Sequence, residues 1–490
     1  MAESFEQLDL SEKLSVDIVK RRAVGGAAIL TLRNVFLQAV AFFATALLTY
    51  FLQPSEFGVF FIVSAVVNFL AYFSDIGFAA ALIQKKDHLK DEELKTVFSA
   101  QQLLILFLIF TVFILSPVLK NFYKLDMEAI YLLWALAISL LFSSLKTIPS
   151  VLMERRLEFQ KLVIPQIVET LVFNISAVFL AWKGFGVTSF TIAVILRGFS
   201  GLIVTYIVQP WVPSLAFSYK AFKSVLKYGI PYQANSLLAM VKDDGITLLL
   251  GSTLGAQGIG LLGWAQKWAY APLRFFMDQV IKVTFPAFSR LQDNDKELSN
   301  AVTKSIFFVC ALVFPSLLVL FSIAPILVEI IPKYDKWRPA LFALTILSIN
   351  SSLAAITTPL TNTLNAIGKI MITFRLMIMW TILTWAFVPA LAILFGVNGA
   401  ALGFGLVGLS SIFALIIISK YVKIDYFQAV FKPLFATIIM GGFIFIIKGF
   451  FPLSILQLII IIITAILSYI FSLLILQPDI LVHLKALRRS

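Results

Sequence analysis

Lys242, Asp243, Asp244, Lys267, Arg274 and Asp278 are charged side chains sunk inside two long apolar segments of one stretch, residues 228–298. A charge at mid-bilayer costs about 2.5–3.5 kcal/mol on insertion scales, so six of them in neighbouring segments mark a polar pathway. Arg33, Glu169 and Arg197 repeat the theme earlier in the chain. At about 1.5 Å of rise per residue, Arg33 lies near 14 Å into its segment and Arg197 at a similar depth. Lys242 and Lys267 match that depth when counted from the other end of theirs. Lys267, Ala271, Arg274 and Asp278 follow i, i+4, i+7 and i+11, which is one face of one helix. Arg33, Arg197, Lys242, Lys267 and Arg274 are therefore the candidate substrate-binding residues, suited to an anionic headgroup.

Internal pairing competes with that reading at each position. Glu169 can hold Arg197, Asp278 can hold Arg274 one turn away, and Asp243 or Asp244 can neutralise Lys242 or Lys267. Arg33 has no acidic residue in its own segment. A membrane carboxylate also suits a proton or Na⁺ site that couples transport to a gradient. Glu169, Asp243, Asp244 and Asp278 thus stand as ion-coupling groups or as counter-ions. Lys146 and Lys282 lie close enough to a segment end to snorkel. Asp75 reads as a helix-end contact. Asn34, Gln38, Asn68, Asn174, Gln233, Asn235, Asn350, Asn362 and Asn365 add buried polarity for a cavity or for bonds between helices.

The segments that must position these charges are membrane spans. The 490 residues are 60% hydrophobic and 13% charged, with a mean hydropathy of +0.96, against about 25% charged in soluble domains. The expected fold is all-α and polytopic, with about 14 spans of roughly 20 residues each. Their approximate limits are 24–52, 57–75, 97–118, 129–150, 162–182, 187–209, 228–251, 257–284, 302–322, 339–365, 370–395, 398–419, 430–449 and 453–476. The polar N-terminus lacks the apolar core and cleavage site of a signal peptide. Lys and Arg favour one set of alternate loops by 25 to 7, which puts both termini in the cytoplasm. The same bias accounts for the net charge of +13 without nucleic acid. YDKWRP, from Lys333 to Arg338, is the local exception.

The chain also repeats. FLQPSEFGVF at 51–60 and STLGAQGIGL at 252–261 share a pattern, with Gly58 and Gly260 in register at an offset of 202. Acid- and Lys-rich loops follow at similar distances. An even number of spans in the offset keeps both copies in one orientation, as in parallel-repeat transporters. The expected domains are a six-helix lobe over 1–220, a second over 221–425, and a two-helix hairpin with its tail over 426–490. GSTLG and GAALG point to close helix packing.

Several chemistries are excluded. The lone Cys310 rules out an intrachain disulfide, and with only His88 and His483 beside it the chain argues against a His/Cys metal site. No Walker loop, HExxH, nucleophile elbow or triad is present, and no cofactor is expected. The longest outer loop is about ten residues, too short for a catalytic unit. The reading is a transporter, not an enzyme.

SDIGFAAALIQKKD at 74–87, MERRLEFQKL at 153–162, FPAFSRLQDN at 285–294, YDKWRPA at 334–340 and GVNGAALGFGL at 396–406 carry a family likeness. In order and spacing they resemble the polysaccharide-transport branch of the multidrug/oligosaccharidyl-lipid/polysaccharide exporter superfamily, and in particular O-antigen and exopolysaccharide repeat-unit flippases. The resemblance implies a V-shaped two-lobed fold in the bacterial inner membrane that alternates between inward-open and outward-open states. It implies an undecaprenyl-pyrophosphate-linked oligosaccharide as cargo, a cationic lumen for the pyrophosphate, contact with membrane lipid, and work alongside polysaccharide polymerase or glycosyltransferase machinery. H⁺ or Na⁺ coupling stays open. The alternatives are a multidrug antiporter of the same superfamily, whose cationic cargo would want an acidic cavity, and a membrane glycan polymerase or ligase, which would want a large outer loop.

Overall fold

A computed structural model describes residues 16–75, 77–85, 88–226 and 240–478. The readings placed on the first 15 residues, the Asp75 side chain, Gln233, Asn235, His483 and the C-terminal Lys485, Arg488 and Arg489 lie outside the described residues. Helices account for the whole described architecture. They run α1 (Val16–Phe51), α2 (Pro54–Asp75), α3 (Phe78–Gln84), α4 (Asp91–Tyr123), α5 (Met127–Leu145), α6 (Thr147–Arg155), α7 (Phe159–Trp182) and α8 (Thr188–Val208). After a π-helical turn at Val241–Gly245 come α9 (Ile246–Leu291), α10 (Asp295–Ile330), α11 (Leu341–Ala366), α12 (Ile370–Leu409), α13 (Ser411–Ile418), α14 (Lys432–Phe450) and α15 (Ile455–Leu476).

Twelve helical segments among the described residues are long and apolar enough to cross a membrane. The sequence suggests about 14, and the difference lies in two places. The segment at 241–291 contains Gly255 (φ 64°), and α12 contains Gly396 (φ 60°). Both breaks fall in the gaps expected between spans, at 251–257 and 395–398. Glycine takes the left-handed region at no steric cost, so the chain reverses there without leaving helix on either side for long. Counting each broken segment as two restores 14.

The chain divides into two compact units, Met1–Gly260 and Leu261–Ser490, and α9 begins in the first. In the first unit α7 packs on α8 and α1, α5 packs on α8 and α4, and α2 packs on α4, α5 and the π-helical turn. Gly58 and Gly260 meet within this unit. A methyl group at Gly58 would lie 1.6 Å from the Ala256 carbonyl oxygen, and one at Gly260 would lie 1.7 Å from that of Pro54. The two contacts interchange under the 202-residue offset, so the crossing has its own local two-fold. The repeat in the sequence is thus also a contact.

Two motifs of the family likeness close one end of this unit. Arg155, at the end of α6, donates to the carbonyls of Leu82 (2.8 Å) and Lys85 (2.6 Å). A helix C-terminus leaves carbonyls without intrahelical partners, and a cation there also faces the negative end of the dipole. Phe78, Leu82, Val97, Phe98, Ile148, Leu152 and Trp211 fill the core beneath.

In the second unit α11 packs between α10 and α12, and α14 pairs with α15 against α10. Trp337 of the YDKWRPA motif is fully buried and stacks on Trp264 of α9 at 5.0 Å, with 18° between the rings. Arg338 meets Glu329 at 3.5 Å on the surface. GAALG explains itself at the Gly396 reversal: a methyl at Gly399 would lie 1.9 Å from the Leu391 carbonyl oxygen, and one at Gly403 would lie 2.6 Å from Val388.

Candidate functional site

The first unit brings two cations to one carboxylate and a third cation to an amide one turn away on the same helix. Glu169, on α7, accepts a very short hydrogen bond from Lys146 Nζ. Its other oxygen lies 3.9 Å from Arg197 Nε on α8. Three residues before Glu169, on the same helix face, Gln166 Oε1 accepts from the Arg33 guanidinium of α1. Asn34 Oδ1 accepts from Arg33 Nε at 3.2 Å. No acidic residue among those described lies within ion-pairing distance of Arg33.

Packing fixes each of these positions. Tyr206 of α8 donates its hydroxyl to the Leu145 carbonyl (2.9 Å), which ties α8 to the residue beside Lys146. On α7 Pro165 lacks an N–H, so the helix ladder is already open near Gln166. Thr170 Oγ1 then bonds the Gln166 carbonyl (2.9 Å) and Asn174 bonds that of Thr170 (2.8 Å). Arg197 lies 5.9 Å from the Phe173 ring, within cation–π range. Gly201, one turn beyond Arg197, gives the carboxylate its seat: a methyl there would lie 1.9 Å from Glu169 Oε1.

Burial grades the cluster. Lys146 and Glu169 are largely enclosed, with side chains 15% and 14% exposed, whereas Arg197 is 54% exposed. The Glu169–Arg197 pair expected from the sequence is present. Lys146, expected to snorkel, turns inward to Glu169 instead, because the carboxylate lies within reach of the α5 end. Arg33 also departs from expectation. Counted from Phe51 along α1 it is about 27 Å away, and Glu169 and Arg197 are about 20 Å and 14 Å from the ends of their helices at Trp182 and Thr188. Those ends adjoin, since Gly186 lies against Glu56. Arg33 therefore sits toward the far side of a roughly 30 Å core rather than at its middle. The helix begins at Val16, earlier than the sequence limit of 24 suggests.

Elsewhere in the first unit, Lys242 meets Asp243 at 3.5 Å on the π-helical turn. Asp243 is mostly exposed, while Asp244 is half-buried and hydrogen-bonds Asn68 of α2. The two adjacent carboxylates thus face different surroundings, and π turns recur at functional sites. In the second unit Lys267, Arg274 and Asp278 are all exposed on one face of α9. No ion pair joins Arg274 to Asp278 among the described residues. The Trp264–Trp337 stack lies one turn before Lys267 and fixes that face. Asn350, on α11, donates to the Tyr270 hydroxyl (3.2 Å), and Asn362 to Thr284 Oγ1 (3.2 Å).

Gln166 and Gly201 are absent from the sequence reading. The i, i+3 spacing of Gln166 and Glu169 was the available signal for the first. Nothing short of the packed structure points to the second. Among the described residues no group of His, Cys, Asp and Glu has the make-up of a metal site.

Residues 47–341, more than half of the chain, match the profile of a family described as polysaccharide biosynthesis protein. This chain belongs to that family. Its relatives include the succinoglycan biosynthesis transport protein ExoT of Rhizobium meliloti (strain 1021), 23% identical over 82% of this chain and 79% of that one. The lipopolysaccharide biosynthesis protein WzxC of Escherichia coli (strain K12) is 24% identical over 79% of each. Among solved structures the fold is similar to that of the lipid II flippase MurJ in an inward closed conformation, with a TM-score of 0.74, 18% identity, 92% of this chain covered and 100% of that chain. An inward-facing multidrug MATE transporter scores 0.59 at 16% identity, covering 78% and 95%. The polysaccharide biosynthesis chain described here is therefore a multi-pass membrane protein whose fold is similar to that of solved transporters.

Proposed function

We propose that this protein is a flippase that moves undecaprenyl-pyrophosphate-linked oligosaccharide repeat units from the inner to the outer leaflet of a bacterial cytoplasmic membrane. The observation that carries the reading is the cluster in the first unit: Lys146 and Arg197 share the Glu169 carboxylate, and Arg33 is held one turn away by the Gln166 amide. Its balance is two positive charges in excess, inside a membrane span, and partly open. Such a site favours an anion and repels the cationic cargo of a drug antiporter. Arg33 and Arg197 would hold the pyrophosphate. Guanidinium groups suit it because their planar fork matches phosphate oxygens in pairs. Lys242, Lys267 and Arg274 would receive the same group later in an alternating-access cycle. The exposed face of α9 supports that role. Asp244 with Asn68 is the proposed H⁺ or Na⁺ coupling site, with Asp243 as the counter-ion of Lys242. The Lys and Arg bias places both termini in the cytoplasm, and the repeat gives lobes over 1–220 and 221–425 with a hairpin over 426–490. Polymerase or glycosyltransferase machinery is the proposed neighbour.

The test is a strain lacking this protein. Mass spectrometry of its polyprenyl-pyrophosphate glycans should show a complete repeat unit that builds up and is shielded from an external glycosidase. Normal levels, or a built-up unit open to the glycosidase, would contradict the proposal.

A further inference from the structure

We infer that Glu169 is an internal competitor for the cargo's anionic group: it neutralises Lys146 permanently, holds Arg197 loosely, and recaptures Arg197 to expel a diphosphate after transport. The inference rests on the flippase reading and assigns the cluster a release device.

Three features of the geometry carry it. The first is an asymmetry in how one carboxylate holds two cations. Lys146 is bound to it closely and both are largely enclosed, while Arg197 sits at 3.9 Å with more than half its side chain exposed. A pair at that distance with an exposed partner is weak. A diphosphate offers Arg197 a bidentate, charge-assisted partner and outcompetes it.

The second is the seat. Gly201 leaves its backbone directly under Glu169 Oε1, with no room for even a methyl group. The gap left there admits the carboxylate between α7 and α8, where its close pairing with the enclosed Lys146 holds it back when a ligand draws Arg197 outward.

The third is the contrast with Arg33. Its guanidinium is held by the neutral amides of Gln166 and Asn34. Neutral acceptors orient the group without cancelling its charge. Arg33 is therefore available to a ligand at all times, whereas Arg197 is available only when a ligand displaces Glu169. Arg33 captures the anion, and the Arg197–Glu169 pair sets how firmly it is kept. As a positioning residue, Glu169 tunes release without touching cargo.

The test uses full-length protein in lipid nanodiscs, with farnesyl diphosphate as the probe at fixed salt. Glu169→Gln, which keeps the shape and removes the charge, should bind the probe about two- to fivefold more tightly than wild type. It should also turn over lipid-linked oligosaccharide more slowly, so that kcat and KM fall together. Glu169→Asp, which keeps the charge, should restore binding toward wild type. Gly201→Ala, which dislodges the carboxylate, should behave as Glu169→Gln and stands in for it if that variant fails to fold. Arg33→Gln and Arg197→Gln should weaken the probe. If the two arginine variants weaken binding but Glu169→Gln and Gly201→Ala leave it unchanged or weaker, the competitor role is refuted and the flippase reading stands. If none of the variants alters binding, both are refuted.

Discussion

Arg33 and Trp337 show how differently single residues serve the same molecule. Among the described residues Arg33 is a cation hydrogen-bonded to amides and to no acid, so its charge remains available for cargo. Arg33→Ala is expected to abolish transport while leaving the amount of folded protein unchanged, which complementation at matched expression would check. Trp337 is wholly buried against Trp264. Trp337→Ala should lower stability by about 3–5 kcal/mol, the range for emptying a large aromatic from a core. Thermal unfolding in detergent would register it, and a change below about 1 kcal/mol would contradict its place in the core. The charged members of the site were legible from sequence because a Lys, Arg or Glu inside an apolar window is costly and rare. Gln166 was not, since a neutral amide in a span is unexceptional and its value comes only from facing α1. Lys146 misled for a physical reason as well: its place at a helix end permits snorkelling, and only the location of Glu169 decides which way it turns.

At the scale of helices, glycines separate into two kinds that the sequence does not distinguish. Gly58 lies under the Ala256 carbonyl, where an added methyl would overlap it at 1.6 Å. Gly396 has a left-handed φ of 60° and open space around its Cα. Gly58→Ala must therefore push two helices apart and is expected to prevent accumulation of folded protein. Gly396→Ala meets only the backbone penalty, about 1–2 kcal/mol, and should fold with a lowered melting temperature. Equal yields of the two variants would contradict this account. Arg155 joins α6 to the end of α3 through two charge-assisted hydrogen bonds. Arg155→Gln should raise amide hydrogen exchange in residues 77–90, and unchanged protection there would show the link to be dispensable. Span positions were readable from hydropathy, and the breaks at Gly255 and Gly396 fall where loops were expected. That the chain re-enters helix at once on both sides was not readable, because left-handed glycine turns leave no stretch of polar loop residues.

For the molecule as a whole, the family likeness and the physical reading converge by separate routes. The segments that carry the likeness prove to be fasteners: SDIGFAAALIQKKD and MERRLEFQKL meet through Arg155, YDKWRPA supplies Trp337, and GVNGAALGFGL makes the Gly399 and Gly403 crossing. They specify the scaffold. The candidate cargo cations lie outside them. That division explains why the fold was legible from motifs while the site had to be read charge by charge. The most direct test of the central claim is a leaflet assay with purified protein. Proteoliposomes carrying a polyprenyl-pyrophosphate-linked oligosaccharide in both leaflets are treated with an external glycosidase. Wild-type protein should render nearly all of the lipid cleavable and Arg33→Ala only the outer-leaflet half. Cleavage that stops at half with wild-type protein, under any applied H⁺ or Na⁺ gradient, would contradict the account.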